Sequence, residues 1–339
     1  MLTPPDFPGL QAAYLALLTQ VSDDFEFRIA PRGNDAREVI GVGFRLPDPR
    51  QRLPYLAARR VNPVFHFAEA LWHLAGRRDL EMIGYYAPSM ASSSRDGVHI
   101  NGSSYGHRIL TPATGADHSA FDRVLELLRR ETDSKRGFLP VFTADELAVD
   151  GNPDMACLAA LHLLPRDGRL HMVCTMRAND LDRGLLSDVF SFTMFQEYAA
   201  VQLGLGLGSY THHIGSAHIC DRDAERVRQV LDEATRRAAP LHFAFPPMPA
   251  TTTPATIARL LEHEEGLRTN AVSYCVADIE ALSLEPYWQQ VLLLFEVYRR
   301  IVHEDADRVD PQLLGQLWPG LRWLLGHKWP ACAGAASIR

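Results

Sequence analysis

An α+β fold is predicted for this chain by three observations. Segments of strand period occur in both halves, two of them joined by a tight turn; a long, wholly apolar helical segment lies between strands; and the last part of the chain is helical. Residues 8–21 have helical periodicity. DFEFRIA and EVIGVGFRL alternate apolar and polar residues, so they read as strands around a polar turn, Arg32-Gly33-Asn34-Asp35, that is able to hold an anion. NPVFHFAEALWHLAG opens with Asn62-Pro63, a cap followed by proline at the first helical position, and stops at Gly76. That pattern predicts a helix of about four turns with Glu69 in its middle. The stretch from Tyr86 to Tyr105, rich in Ser and Gly, reads as a long irregular loop, a kind that in compact domains is either functional or mobile. A helix around DRVLELLRRE and a strand around GFLPVFTA follow. ACLAALHLL and RLHMVCTMR read as strands joined by a Pro165-Arg166-Asp167-Gly168 turn. SDVFSFTMFQEYAAVQLGL is apolar on almost every face, which predicts a helix buried on all sides at the centre of the fold. The glycines 204, 206 and 208 are followed by no helix start, so they read as a turn into the strand SYTHHIGSAHI rather than a dinucleotide motif. Helices around WQQVLLLFEVYRRIV and QLLGQLWPGLRWLL close the chain.

Composition narrows the function classes. The 339 residues are 47% hydrophobic and 22% charged, which excludes disorder, collagen and coiled coil, and the absence of a linker predicts one domain over 1–339. A formal charge of −7, from 34 basic and 41 acidic residues, argues against a broad footprint for nucleic acid or an anionic membrane, so any phosphate site must be local. Five cysteines without motif spacing suggest neither a disulfide framework nor a zinc module, and fit a reducing cytoplasm. The N-terminus lacks the features of a signal peptide, and no apolar run approaches ~18 residues, so a soluble cytoplasmic protein is expected.

Taken singly, the chemically interesting residues are ambiguous. Cys157 lies in an apolar strand, where a buried inert thiol competes with a nucleophile. Glu69, among Phe67, Ala68, Leu71 and Trp72, is either on a wet edge or buried and perturbed as an acid or base would be. Asp188, at the start of the apolar helix, could serve as a helix cap, and Arg177 as a surface residue. His212, His213 and His218 share one strand, but no carboxylate or cysteine cluster completes a metal site, so no metal is expected.

Read together, these residues resemble the thymidylate synthase superfamily. CTMRANDLDRGLLSDVFSFTMFQEYAAVQLGLGLGSYTHHIGSAHIC is similar to its Arg-Ser-x-x-Asp, Leu-Gly-Leu-Pro-Phe-Asn and Gly-Asp-x-His-x-Tyr segments, with Cys157, Arg177, Asp188 and His218 in the family's register. Upstream, EALWHLAG, SSYGHR and SKRGFLPVFTADEL resemble further family motifs in the same order. The resemblance covers most of residues 25–220 and fades towards the C-terminus. It implies a mixed sheet packed with helices around the buried central helix, a dimer formed through the sheet, and methylenetetrahydrofolate as co-substrate. It implies that Cys157 is the nucleophile and Glu69 the general acid/base. Arg32 and Arg177 would hold the nucleotide phosphate, with Lys135 and Arg136 given to the other subunit's phosphate. Tyr105 and His218 would complete the nucleotide site, and Asp180, Trp72 and Arg59 would contact folate.

The family chemistry explains these residue types. Carbon 5 of a pyrimidine is a poor nucleophile until a thiolate adds at carbon 6. Arg177 near the sulfur is expected to lower the thiol pKa as well as hold phosphate. Glu69 would move protons and order water. Three departures then shape the substrate. Asp188 stands where a uracil-reading asparagine is expected; an aspartate has no amide donor for O4 but accepts from the amino group of cytosine. Ala178 replaces a serine and Cys220 a tyrosine beside the sugar, and both changes leave room for a ribose. The resemblance is therefore closest to the cytidylate and deoxycytidylate hydroxymethylases, with cytidylate favoured over deoxycytidylate, as in nucleoside-antibiotic biosynthesis. Water rather than hydride would end the reaction, in keeping with a loop from Tyr86 to Tyr105 that has no tryptophan. A noncatalytic nucleotide-binding relative is the alternative of a different class, because Leu158 follows Cys157 where the family has histidine. The tail ACAGAASIR does not match the family's closing C-terminus.

Overall fold

The computed structural model describes residues 3–237, 239–304 and 309–333. Its helices are α1 Leu10–Asp23, α2 Pro63–Leu74, α3 Leu80–Tyr86, α4 Tyr105–Leu110, α5 Ala120–Arg130, α6 Leu185–Leu203, α7 Ala224–Arg236, α8 Pro254–Arg268, α9 Val276–Ala281, α10 Pro286–His303, α11 Pro311–Gln316, α12 Pro319–Lys328 and α13 Pro330–Ala333. Its strands are β1 Phe27–Ile29, β2 Ala36–Leu46, β3 Phe138–Pro140, β4 Leu158–Arg166, β5 Arg169–Asp180 and β6 Gly206–Cys220. They form one sheet in the order β1-β2-β6-β5-β4-β3.

The sheet is mixed for a simple reason. Asp167 and Gly168 both have positive φ (50° and 71°), the conformation of a two-residue hairpin turn, so β4 and β5 run antiparallel. From β5 the chain crosses through α6 before returning as β6, which makes the β5–β6 pair parallel. The crossover helix lies on the sheet and under α2 and α5, which is why its apolar residues are buried almost all round. Phe44, Leu161, Met172, Tyr210 and Ile214 point from the sheet into this core. The opposite face carries exposed Ile40 and half-buried Val42, Leu164 and Val173.

Local signals set the ends of the elements. Asn62 accepts from the Phe65 backbone N–H at 3.1 Å, Pro63 begins α2, and Gly76 (φ 64°) follows its end. Gly204, with φ 67°, ends α6 in the left-handed region, and the chain turns into β6. Several elements differ from the sequence expectation. QLLGQLWPGLRWLL forms two helices instead of one, because Pro319 removes a backbone donor and holds Trp318 extended (φ −48°, ψ 140°). The short helices α3 and α4 flank the expected loop, and α7, α8 and α9 were not foreseen. The closing residues 334–339, on which the expectation about the tail bears, lie outside the described residues. Among the described residues no helix is long and apolar enough to cross a membrane.

Candidate active site

Cys157 sits immediately before β4 at a junction fixed from several sides. The Arg177 guanidinium donates to the Ala156 carbonyl (2.8 Å) and the Met155 carbonyl (2.9 Å), while the Arg177 backbone N–H donates to the Cys157 carbonyl (2.8 Å). Glu146, itself paired with Arg108 at 2.6 Å, accepts from the Ala156 N–H at 2.7 Å. Arg32 reaches the Asn152 carbonyl at 3.3 Å from a left-handed backbone (φ 53°), a strained conformation for an arginine at the tip of the β1–β2 turn. The thiol is half-buried, and among the described residues its Sγ makes one long contact, 4.0 Å, to the Met155 carbonyl. Burial pushes its pKa up, more than the Arg177 and Arg32 charges pull it down, and Asp188 and Asp154 add to the rise. The sequence expectation of a thiol lowered by Arg177 is thus corrected: the arginine acts in the expected direction, but desolvation outweighs it.

Asp154 organises the loop in front of the thiol. Its carboxylate accepts from the backbone N–H groups of Asn101 (3.1 Å), Gly102 (2.6 Å) and Ser103 (3.0 Å). A Cβ on Gly102 would lie 1.6 Å from the Asp154 carbonyl oxygen, so only glycine allows this approach. The anchored loop delivers Tyr105, which stacks on His73 with ring centroids 5.5 Å apart. Tyr105 feels the charges of Asp188, Cys157, Asp154 and Glu69, and so stands among all four.

Two carboxyls face each other across this site. Glu69, from the middle of α2, accepts from Ser191 at 3.3 Å, and Asp188, from the first turn of α6, accepts from the Asn179 amide at 2.7 Å. Both are half-buried. Burial and then the charge of Asp188 push Glu69 up to about 8, against the pull of Ser191 and Ser187. Burial pushes Asp188 up to about 7, against the Asn179 hydrogen bond. A carboxyl with a raised folded-state pKa adds stability below its unfolded value, and that contribution is lost as pH rises through the folded value. Glu69→Gln should therefore gain on the wild type in thermal midpoint as pH is raised from 5 towards 9; melting curves that stay parallel over that range would contradict this assignment.

The remaining expected residues separate into groups. Parallel pairing sets Ala178 beside Ser216 and Asp180 beside His218, with Cys220 two residues further along β6. Asp180 Oδ1 accepts from the Asp182 and Arg183 backbone N–H groups, each at 3.0 Å, and its Oδ2 lies 3.7 Å from Cys220 Sγ. Lys135 and Arg136 are exposed beside the edge strand β3, where the Lys135 carbonyl contacts His162 and Arg136 pairs with Glu131. No contact among the described residues joins either of them to Cys157 or Arg177. Two further residues expected at the folate are held by contacts within the protein. Trp72 is 1% exposed, with its indole N–H donating to the Asp79 carbonyl at 3.1 Å, so it packs in the core. Arg59 is turned onto the Asp182 carbonyl and carboxylate. Asn179, Asp154 and Glu146 were missed, because each acts on a group far away in sequence and no local motif marks it.

One of the β6 histidines, His218, has a carboxylate and a cysteine near it. Ligand atoms of Asp180, His218 and Cys220 lie within 4.8 Å of one another. By contrast, His212 is wholly buried and bonded to Asn179 and Tyr210.

Comparisons with known proteins identify the family and the fold. A sequence model of thymidylate synthase matches residues 12–257. The deoxyuridylate hydroxymethyltransferase of Pseudomonas phage M6 is 31% identical over 212 residues, which are 61% of this chain and 55% of that protein. Its namesake from Bacillus phage SP01 is 29% identical over 216 residues, 61% of this chain and 56% of that protein. The chain thus spans about half the length of these two curated relatives. The thymidylate synthase of Symbiobacterium thermophilum is 26% identical, covering 69% of this chain and 87% of that protein. Among solved structures, thermostable thymidylate synthase A from Bacillus subtilis superposes with a TM-score of 0.56 at 18% identity, over 69% of this chain and 86% of that one, a likeness of fold.

Proposed function

Because this chain belongs to the thymidylate synthase family, we propose that it transfers a one-carbon unit from methylenetetrahydrofolate to carbon 5 of CMP and completes the reaction with water, giving 5-hydroxymethyl-CMP. The observation that carries the choice of base is Asp188, a carboxyl at the family's base-reading position that stands within electrostatic reach of both Cys157 and Glu69. The two phage relatives are named for deoxyuridylate; this reading departs from them at the base and at the sugar.

Asp188 suits cytosine in either protonation state. A carboxylate oxygen accepts from the 4-amino group, and a carboxyl near its midpoint at neutral pH also has a proton to offer ring N3. A proton at N3 withdraws electrons from carbon 6, where the Cys157 sulfur bonds as its own proton leaves. The electron pair displaced to carbon 5 then takes up the one-carbon unit, and methylenetetrahydrofolate supplies that unit in electrophilic form. Loss of the carbon 5 proton and of the folate nitrogen leaves an exocyclic methylene. Water adds its oxygen there, and the returning electron pair expels the sulfur from carbon 6. Glu69, held near 8, is populated in both forms close to neutrality and can take up and return the protons of these steps.

Arg177 and Arg32, whose charges both act on Cys157, are assigned to the nucleotide phosphate. Lys135 and Arg136, exposed and removed from their own chain's Cys157, are assigned to a second copy docked on the open sheet face. His218, Cys220 and Ala178 are assigned to the sugar, and Asp180, half-buried beside them, to the folate.

The test is product mass after incubating the protein with methylenetetrahydrofolate and, separately, CMP, dCMP and dUMP. A hydroxymethyl increment on CMP is expected, unchanged by a chelator. Product from dCMP alone would move the reading to the deoxyribonucleotide. Product from dUMP would remove the base assignment, and chelator-sensitive activity would return Asp180, His218 and Cys220 to a metal site. A folded protein that binds CMP and converts none would be a noncatalytic relative.

A further inference from the structure

Behind Asp188 runs a hydrogen-bonded chain that the reaction itself does not use. Asn179 on β5 is 3% exposed. Its amide nitrogen lies 2.7 Å from Asp188 Oδ2, and its amide oxygen lies 2.8 Å from His212 Nε2. His212 Nδ1 is in turn 2.6 Å from the Tyr210 hydroxyl. His212 and Tyr210 are wholly buried, and the His212 ring stacks on Phe44 at 5.2 Å. Solvent does not reach the Asn179–His212–Tyr210 bonds to replace a lost partner, so donors and acceptors must match along them.

The matching has a direction. Burial drives His212 down to about 3, so its ring carries a single proton, and burial holds the Tyr210 phenol protonated. The Asn179 amide nitrogen faces the Asp188 carboxyl, so the amide oxygen is the acceptor towards His212. The phenol then donates to His212 Nδ1, His212 Nε2–H donates to the Asn179 carbonyl oxygen, and the Asn179 N–H is left to donate to Asp188 Oδ2.

We propose that Asn179 is a specificity-positioning residue: held by His212 and Tyr210, it keeps Oδ2 of Asp188 an acceptor, so that the carboxyl cannot imitate an asparagine towards a uracil. An asparagine reads uracil by donating to O4 while accepting from N3–H. A neutral carboxyl can do the same if its hydroxyl turns to O4. With Oδ2 already receiving the Asn179 N–H, any proton on Asp188 resides on Oδ1. Oδ2 remains the acceptor offered to the exocyclic position, matched by the cytosine amino group and mismatched by O4. The same lock fixes the side chain's rotation without touching the nucleotide.

This inference rests on the cytosine reading above, and the test separates the two. Tritium release from carbon 5 of labelled CMP and of labelled UMP is measured for wild type, Asn179→Ala, His212→Phe and His212→Gln. The expected result is a CMP:UMP ratio lowered about tenfold in Asn179→Ala and His212→Phe, with recovery in His212→Gln, which restores a donor. Losses that fall equally on both nucleotides, with the ratio kept, would overturn the inference alone. A wild type that prefers UMP would overturn the cytosine reading and this inference with it. Nitrogen NMR of the unaltered protein gives an answer independent of whether the variants fold: His212 should be neutral with its proton on Nε2, and the opposite tautomer would reverse the chain and overturn the proposal.

Discussion

Cys157→Ala is expected to abolish hydroxymethylation, lowering turnover by about ten-thousandfold or more, while CMP affinity and folding change little. Every step of the proposed reaction depends on an electron pair delivered through carbon 6, and no other described thiol stands among these carboxyls and arginines. Cys174 is buried under the sheet, and Cys220 lies against Asp180. The side chain itself does little for the fold, because its one contact to a hydrogen-bond acceptor is long, 4.0 Å, and the bonds that hold the segment run through backbone atoms to Arg177 and Glu146. Turnover, CMP binding by calorimetry and a thermal melt, measured on one preparation, separate these effects. Turnover within tenfold of wild type would remove Cys157 as the nucleophile.

The second large effect is a reversal of base preference. Asp188→Asn keeps the size of the side chain but gives the pocket an amide donor at the exocyclic position, with the Asn179 amide turning its oxygen to match. The new donor meets uracil O4 and opposes the cytosine amino group. A mismatched buried polar pair costs roughly 1–3 kcal/mol, and here one mismatch is removed while another is created, so the UMP:CMP ratio should rise by about a hundredfold. The substitution also removes the negative charge that helps to raise Glu69, so the alkaline limb of the pH–rate profile, where Glu69 loses its proton, should move to lower pH. Competition between the two nucleotides, followed by product mass, reads the first effect, and a pH series reads the second. An unchanged base ratio would reduce Asp188 to a residue of the α6 first turn.

Much of this architecture was readable from the chain because its signals are local. Asn62-Pro63 announced α2, Asp167-Gly168 closed the β4–β5 hairpin, and the unbroken apolar character of Leu185–Leu203 marked the central helix. The amphipathic α7 and the Thr253-capped α8 were equally local and were overlooked, whereas Trp318-Pro319 was a break signal inside an apparently continuous apolar pattern. The site divides in the same way. Motif spacing nominated Cys157, Glu69, Asp188 and Arg177, and the fold brings them together.

The rest could not be read because it depends on distant partners. Asn179 matters through His212, on the neighbouring strand, and Asp154 matters through the Asn101–Ser103 backbone. The tight packing of α2 puts the Trp72 indole on the Asp79 carbonyl, a contact that no local motif announces. The sign of the Cys157 shift needed a comparison of desolvation with two arginine charges, and spacing supplies neither quantity.

The central claim is that the Cys157 sulfur adds to a cytosine ring, and the most direct measurement is tritium release from carbon 5 of CMP by the unaltered protein with no folate present. Addition alone makes that hydrogen exchangeable, so release from CMP is predicted, faster than from UMP and absent in Cys157→Ala. A folded protein that binds CMP and releases no tritium, or releases it equally well without the cysteine, would contradict the account.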